Sequence, residues 1–208
     1  MAKLEQVRID ASFRAQYGLS SDTKIIGMVA QIEPRKRQDL FLKAAALVLR
    51  SDPELRFVLV GGAEGAKGAH SSYEQSLRVL ARELGIMDRV LFVGHVTDPL
   101  SLMKQFNILV LPSRNEALGG VLIEAMGLGV PVIATRDGGI PEVVEHGITG
   151  LLVAGDEPAP FADAMLTLLR DSELARRMGE QGRIAARRFD TSTIVQSLQQ
   201  CYDDVVAR

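Results

Sequence analysis

Short apolar runs rich in β-branched residues alternate with helical patterns along almost the whole chain. Each run is hydrophobic throughout rather than at every second residue, which indicates strands that are buried on both faces. Such strands, separated by helices, predict an α/β fold: a Rossmann-like, doubly wound parallel sheet of about six strands with helices on both faces. The predicted strands are 24–32, 55–61, 89–93, 107–111, 131–135 and 149–153.

Helical patterns fill the intervals between these strands and continue to the C-terminal end. Gly and Pro residues fall at the junctions, and no long linker divides the chain. The sequence therefore predicts a single domain over residues 1–208, with a Gly-rich loop at 61–72. The predicted helices are about 38–50, 72–85, 98–105, 119–129, 140–146, 159–170, 172–188 and 191–207.

Charge and cysteine content exclude several classes of protein. The net charge of −2 gives no overall positive field for a nucleic-acid backbone, so nucleic acid is not an expected partner. The single cysteine cannot form an internal disulfide, which fits a reducing compartment. No apolar run approaches the roughly 18 residues that a membrane span needs, and the N-terminus lacks the apolar stretch of a signal peptide. We therefore expect a cytoplasmic protein.

Two carboxylates flank the segment after the fourth predicted strand. Glu116 falls in a loop and Glu124 inside the next helix, with seven residues between them. The start of that helix, at 119–122, would offer free backbone N–H groups to a phosphate, and the carboxylates would accept hydrogen bonds from sugar hydroxyls. This pattern favours an anionic ligand that carries sugar rings. The alternative is that both glutamates are solvated or capping groups.

A second candidate is the loop after the first strand, where three consecutive cations precede a helix. Arg35, Lys36 and Arg37 oppose the dipole of that helix, which suggests that they serve something other than its stability. A diphosphate is a suitable counter-charge. The alternative is an exposed loop tip, because runs of charge are commonly just surface.

Other nucleotide and metal motifs are missing or incomplete. Residues 62–68 resemble a P-loop but lack the glycine before Lys67 and a Ser or Thr after it, and no Gly-x-Gly-x-x-Gly follows the first strand. No Asp-x-Asp pair is present to hold magnesium on a diphosphate. The three histidines, His70, His95 and His146, are scattered, so we predict no metal site.

The segment 111–153 combines these features in a specific order. It reads LPSRNEALGGVLIEAMGLGVPVIATRDGGIPEVVEHGITGLLV and resembles the C-terminal lobe of the family 4 retaining glycosyltransferases, which have the two-lobed GT-B fold. The two glutamates with seven residues between them, the Pro-Val-Ile-Ala run and the paired glycines at 138–139 carry the resemblance. Weaker marks extend it over about residues 18–190.

The resemblance implies metal-independent transfer of a hexosyl group from a UDP-, GDP- or ADP-sugar, with retention of anomeric configuration and no other cofactor. It implies catalytic roles for Lys36, which would hold the diphosphate, and Glu116, which would hold sugar hydroxyls; Glu124 would hold the ribose. Residues 92–96 would lie near the nucleobase. The donor-binding residues that it implies are Gln31, Arg35, Arg37, Gly61, Val93, His95, Gly119, Gly120, Val121, Leu122 and Glu124.

The sequence departs from the family pattern at two places. The family usually has Gly-Arg where this chain has Ala30-Gln31, so one phosphate-binding cation is missing from its expected position. Either Arg35 or Arg37 replaces it, or diphosphate binding and turnover are weakened. The usual Gly-Phe-Gly after the first glutamate is Ala-Leu-Gly here.

The resemblance covers one lobe of a two-lobed enzyme. It implies that an N-terminal, acceptor-binding lobe is the partner of this one and that the chain alone is inactive. The last predicted helix has an apolar stripe that needs a cover. The arginines before it fit a solvated face better than attraction to acidic lipids, which would bring the full enzyme to the inner face of the membrane. The alternative interpretation is that the chain is a non-catalytic nucleotide- or partner-binding module of the same fold. The glutamine at position 31 favours this interpretation.

Overall fold

The computed structural model describes residues 4, 6–9, 11–62 and 72–206 of the chain. Within these residues six strands form one sheet, and every neighbouring pair runs parallel. The strands are β1 (Ile25–Val29), β2 (Arg56–Val60), β3 (Val90–Gly94), β4 (Ile108–Leu111), β5 (Val132–Thr135) and β6 (Gly150–Val153). Their order across the sheet is β3-β2-β1-β4-β5-β6, which confirms the predicted doubly wound α/β fold.

Helices connect the strands at nearly the predicted positions. Nine are described: α1 (Ala11–Gln16), α2 (Gln38–Leu49), α3 (Ser72–Glu83), α4 (Pro99–Met103), α5 (Gly120–Gly127), α6 (Ile140–Val143), α7 (Pro158–Arg170), α8 (Ser172–Ala186) and α9 (Thr191–Val206). Short 3-10 helices lie at Pro34–Lys36, Met87–Arg89 and Arg187–Phe189.

The structure differs from the sequence prediction in two features, and a third predicted feature lies largely outside the described residues. The helix α1 and the 3-10 helices were not predicted, because segments this short carry too few residues to show a period. The strand β1 ends at Val29 rather than at residue 32, since the chain turns there toward its first 3-10 helix. Most of the predicted Gly-rich loop, residues 63–71, lies outside the described residues.

The core consists of the sheet and the helices on it. All residues of β4 and β5 are buried, which fits the continuous apolar sequence of β4 and includes Thr135 at the end of β5. The helix α2 packs against α7, and α5 packs against α8. Phe41 of α2 meets Phe57 of β2 edge to face, with ring centroids 5.7 Å apart. No described helix is long and apolar enough to cross a membrane.

The strand order reverses between β1 and β4. From β1 the chain builds outward to β3, then returns to the other side of β1 with β4 and continues to β6. The loops that leave β1 and β4 therefore diverge and open a crevice at the carboxyl ends of these two strands. Both candidate segments of the sequence, the three cations and the paired glutamates, belong to these loops.

Candidate functional site

A cavity of about 240 Å³ lies at this crevice, and we call it the switch-point cavity. The loop after β1, the loop after β4 and the first residues of α5 form its walls. Most of its lining had been named as donor-binding or catalytic from the sequence. The lining residues are Val29, Ala30, Gln31, Arg35, Lys36, Leu111, Glu116, Gly119, Gly120 and Val121.

An ion pair joins the two loops across this cavity. The Nζ of Lys36 donates to Oε2 of Glu116 at 2.5 Å, although 80 residues separate them in sequence. Each side chain is only 14% exposed, so the interpretation of Lys36 as part of an exposed loop tip is wrong. The pair places a cation and a carboxylate side by side in a partly desolvated crevice, where both act more strongly than on an open surface.

The other two cations of the loop have separate surroundings. Arg35 lines the cavity and forms a salt bridge of 2.8 Å with Glu33, and 46% of its side chain is exposed. Arg37 adopts a left-handed backbone conformation with φ 58° and does not line the cavity. Its guanidinium binds Asp39 at 3.2 Å and Asp156 at 2.6 Å. Arg35 is therefore better placed than Arg37 to supply the cation that the resemblance lacks at position 31.

The N-terminus of α5 closes the cavity opposite the cations. Gly119 caps the helix in a left-handed conformation, with φ 70°. A methyl group on Gly120 would meet no atom within 4 Å, so the space above the first turn is open. The first N–H groups of a helix have no partner inside it and suit an anion. Leu122, by contrast, is fully buried and donates its N–H to Gly119, so it lies outside the open space.

Glu124 lies further along α5, and its carboxylate has no hydrogen-bond or ion-pair partner among the described residues. Although the residue is exposed, nearby protein atoms desolvate its carboxyl and raise its pKa. Folding thus penalises the charged form of this group. A carboxylate that folding disfavours is not kept for stability, which makes Glu124 a candidate ligand-binding group.

The raised pKa of Glu124 has a testable consequence for the stability of the fold. Because the folded pKa of Glu124 is raised, the penalty exists above that pKa and disappears when the pH falls below the pKa of the unfolded chain. We expect Glu124→Gln to unfold at the same temperature as the wild type or a slightly higher one at pH 7.5, with the difference vanishing near pH 3.5. Differential scanning calorimetry at both pH values measures this; a variant less stable than the wild type at pH 7.5 would contradict it.

Three sequence-predicted residues lie at the ends of the neighbouring strands instead of in the cavity lining. Gly61 follows β2 with φ 143°, and its N–H donates to Gly94 at 2.8 Å. A side chain on Gly61 would overlap the carbonyl oxygen of Ala30, so close packing of two backbones requires glycine there. Val93 and His95 belong to β3 and the loop after it. None of the three lines the switch-point cavity.

Histidines do not form a metal site in the described part of the chain. No group of three metal-ligating side chains gathers there. His146 has a structural role, since its Nδ1 accepts the N–H of Leu152 at 2.9 Å. His70 lies outside the described residues.

Sequence reasoning missed a set of residues that hold the loop of Glu116. Asp137 accepts hydrogen bonds from Asn115 and Gly138 through its two carboxylate oxygens, at 2.7 and 2.8 Å. Arg114, in turn, forms an ion pair with Asp156, which also binds Arg37. The paired glycines after position 137 were the only signal of this contact in the sequence, and they do not say which loop they touch.

Comparison with known families gives one match over most of the chain. The family described as glycosyl transferases group 1 matches residues 10–185. The chain is 36% identical over 198 residues to the D-inositol 3-phosphate glycosyltransferase of Corynebacterium glutamicum (strain R), covering 93% of this chain and 46% of that protein. It is also 36% identical over 195 residues to the N-acetyl-alpha-D-glucosaminyl L-malate synthase of Bacillus anthracis, covering 93% and 49%.

Solved structures show the same likeness. The Anabaena protein Alr3699/HepE in complex with UDP-glucose superposes with a TM-score of 0.84 at 28% sequence identity, over 97% of this chain and 55% of that one. The chain spans about half the length of the curated relatives it matches.

Proposed function

The chain belongs to the glycosyl transferases group 1 family, and from that premise we propose that it is the donor-binding, C-terminal lobe of a hexosyltransferase. The enzyme would use a nucleotide-diphosphate sugar, retain the anomeric configuration and need no metal ion. One observation carries the proposal. The pair of Lys36 and Glu116 lies in the same cavity as the open N-terminus of α5, at the topological switch point. The UDP-glucose complex of Alr3699/HepE, a structural neighbour, supports a nucleotide-sugar donor.

The lining of the cavity, together with Glu124 beyond that lining, would then hold the parts of the donor. The N–H groups of Gly120 and Val121 would bind the distal phosphate, with the dipole of α5 favouring its charge. Lys36, assisted by Arg35, would neutralise the charge that develops on the leaving diphosphate, the role that a metal ion plays elsewhere. Glu116 would accept hydrogen bonds from sugar hydroxyls, and Glu124 from those of the ribose.

The ion pair between Lys36 and Glu116 couples the binding of the diphosphate to that of the sugar. The Nζ of Lys36 and Oε2 of Glu116 lie 2.5 Å apart. A donor has to separate them, because the ammonium is needed by the diphosphate and the carboxylate by the sugar. Bare nucleotide gains only the first contact and leaves the carboxylate of Glu116 beside an anion. The sugar ring therefore adds affinity in two ways, by hydrogen bonding and by covering that charge.

Because the diphosphate needs Lys36 and the sugar needs Glu116, we expect different effects on binding from substitutions at these two residues. Lys36→Ala should weaken a nucleoside diphosphate by about tenfold or more and its monophosphate much less, since a hydrogen bond to a charged group contributes about 1.5–3 kcal/mol. Glu116→Gln should leave bare diphosphate binding unchanged or tighter, while it weakens the sugar conjugate. Calorimetric titration with the monophosphate, the diphosphate and the sugar conjugate measures both. Equal effects of Lys36→Ala on mono- and diphosphate would remove Lys36 from the site.

The partner lobe follows from an uncovered surface. The helix α9 exposes a line of apolar residues, a face that a helix normally buries. We propose that an N-terminal, acceptor-binding lobe covers this face in the complete enzyme and that the chain alone does not turn over. The exposed residues are Ile194, Val195, Leu198, Tyr202 and Val205.

We further propose a cytoplasmic location. The one cysteine, Cys201, is free and exposed, which suits a reducing compartment. On α8, Arg176 forms ion pairs with Glu173 and Glu180 at 2.7 and 2.5 Å, which leaves less of its charge for acidic lipids. Peripheral association of the full enzyme with the membrane would then depend on other arginines of this helix.

One observation favours the second function, a binding module without catalysis. Gln31 lines the cavity where the family resemblance expects an arginine, so the diphosphate meets one fixed cation fewer. Gln31→Arg separates the two functions. In a catalytic enzyme it should raise the diphosphate affinity, measured by calorimetric titration, and also the sugar-transfer rate of a longer protein that supplies the acceptor lobe; in a module it should raise affinity at most.

A further inference from the structure

We propose that Asp137 is a positioning residue for Glu116 and thereby sets the preference of the site for sugar-bearing nucleotides over bare ones. The proposal rests on the proposed function of the switch-point cavity. Asp137 lies in the turn between β5 and α6, and it does not line that cavity. Its effect therefore has to reach the ligand through the loop that carries Glu116.

The carboxylate of Asp137 joins this turn to the loop. Its Oδ2 accepts the N–H of Asn115 at 2.7 Å, and its Oδ1 accepts the N–H of Gly138 at 2.8 Å. Asn115 has φ 50°, a left-handed backbone conformation that is uncommon in residues other than glycine. A charge-assisted hydrogen bond to its N–H stabilises that conformation at the residue directly before Glu116.

A second contact holds the other side of Glu116. The N–H of Gly139 donates to the carbonyl oxygen of Glu116 at 2.8 Å. A methyl group on Gly138 would overlap that same oxygen, and one on Gly139 would overlap the carbonyl oxygen of Ala117. The turn and the loop thus touch backbone to backbone with no space between them. Hydrogen bonds to the N–H of Asn115 and to the carbonyl oxygen of Glu116 thus hold the backbone from which the Glu116 side chain reaches Lys36.

The proposed nucleotide contacts lie on other segments of the chain. The N-terminal N–H groups belong to α5, and Glu124 is the fifth residue of the same helix. Lys36 is carried by the loop after β1, which binds the Glu116 loop through the N–H of Arg114 and the carbonyl oxygen of Arg35, at 2.9 Å. Loss of the Asp137 carboxylate should therefore misplace Glu116 while it leaves the phosphate and ribose contacts in place.

The test compares Asp137→Ala with a matched control. Asp171 caps α8, where its Oδ1 accepts the N–H of Leu174 at 2.8 Å, and it lies outside the cavity. Asp171→Ala thus removes a carboxylate-to-backbone bond of the same kind. We expect Asp137→Ala to weaken a nucleotide sugar by about tenfold and to change bare nucleotide by less than about twofold. Asp137→Asn, which keeps one acceptor oxygen, should lie between; Asp171→Ala should change neither affinity.

Calorimetric titration with UDP, GDP, ADP and their glucose or mannose conjugates gives the affinities. Equal losses for bare and sugar-bearing nucleotide, or no loss for either, would overturn the proposal. If neither the wild-type chain nor a longer protein that supplies the acceptor lobe binds any of these ligands, the proposed function fails, and hydrogen exchange still tests the positioning role. Amide exchange over residues 114–117 should accelerate in Asp137→Ala but not in Asp171→Ala; unchanged exchange in both would overturn the proposal.

Discussion

Replacing Glu124 by alanine is expected to weaken bare nucleotide and its sugar conjugate by the same factor, about tenfold to a hundredfold. The factor corresponds to about 1.5–3 kcal/mol, the contribution of a hydrogen bond to a charged acceptor. The factor is the same because the ribose is present in both ligands and Glu124 would contact no other part of them. The loss comes without a loss of fold, since folding already disfavours the charge of this carboxyl and raises its pKa.

Two controls accompany this variant in the same calorimetric titration. Glu83→Ala removes an exposed glutamate of α3 that does not line the cavity. This variant should bind both ligands like the wild type. Glu116→Ala should weaken the sugar conjugate alone. If Glu116→Ala and Glu124→Ala reduce bare nucleotide binding equally, the assignment of sugar to one glutamate and ribose to the other is wrong.

The largest effect on structure is expected for Gly139→Ala. The backbone there is in the ordinary right-handed region, with φ −83°, so alanine meets no conformational penalty. Its methyl group would, however, overlap the carbonyl oxygen of Ala117, and the loop of Glu116 would have to move. Overpacking of this kind costs typically about 1–3 kcal/mol. We expect a lower unfolding temperature together with loss of binding of the sugar conjugate.

Gly120→Ala is the matched variant for this glycine. A methyl group there meets nothing within 4 Å, and alanine is a better helix former than glycine. The unfolding temperature should therefore stay the same or rise, while diphosphate binding weakens because the methyl enters the space above the helix N-terminus. Thermal unfolding and titration of both variants separate the two effects. A Gly139→Ala protein with wild-type stability and wild-type affinity for the conjugate would contradict the close contact of turn and loop.

The fold was largely predictable because its signals are local. Uninterrupted apolar runs such as that of β4 indicate burial on both faces, and helices between such strands lead to a parallel sheet. The two glutamates, the glycines of 119–120 and the three cations were also visible as candidates, since each follows a strand end. Lys36 and Glu116 can meet because β1 and β4, whose following loops carry them, are neighbours in the sheet.

The details that tune the site were not predictable from the sequence. The sequence alone does not distinguish Arg35 from Arg37. In the structure Arg37 has a left-handed φ, and its guanidinium binds Asp39 and Asp156. Asp137 reads as an ordinary turn residue, and its contact with Asn115 depends on how two loops 22 residues apart pack together. Tertiary contacts decide such cases, and no local pattern encodes them.

The measurement that tests the account most directly is a titration of the 208-residue chain with UDP, GDP and ADP and their sugar conjugates, in buffer with a metal chelator. We expect saturable one-to-one binding of one nucleotide, tighter binding of its sugar conjugate, and a loss of both in Glu124→Ala. Absence of saturable binding for all three nucleotides, both by the chain alone and by a longer protein that supplies the acceptor lobe, would contradict a donor site at the switch-point cavity.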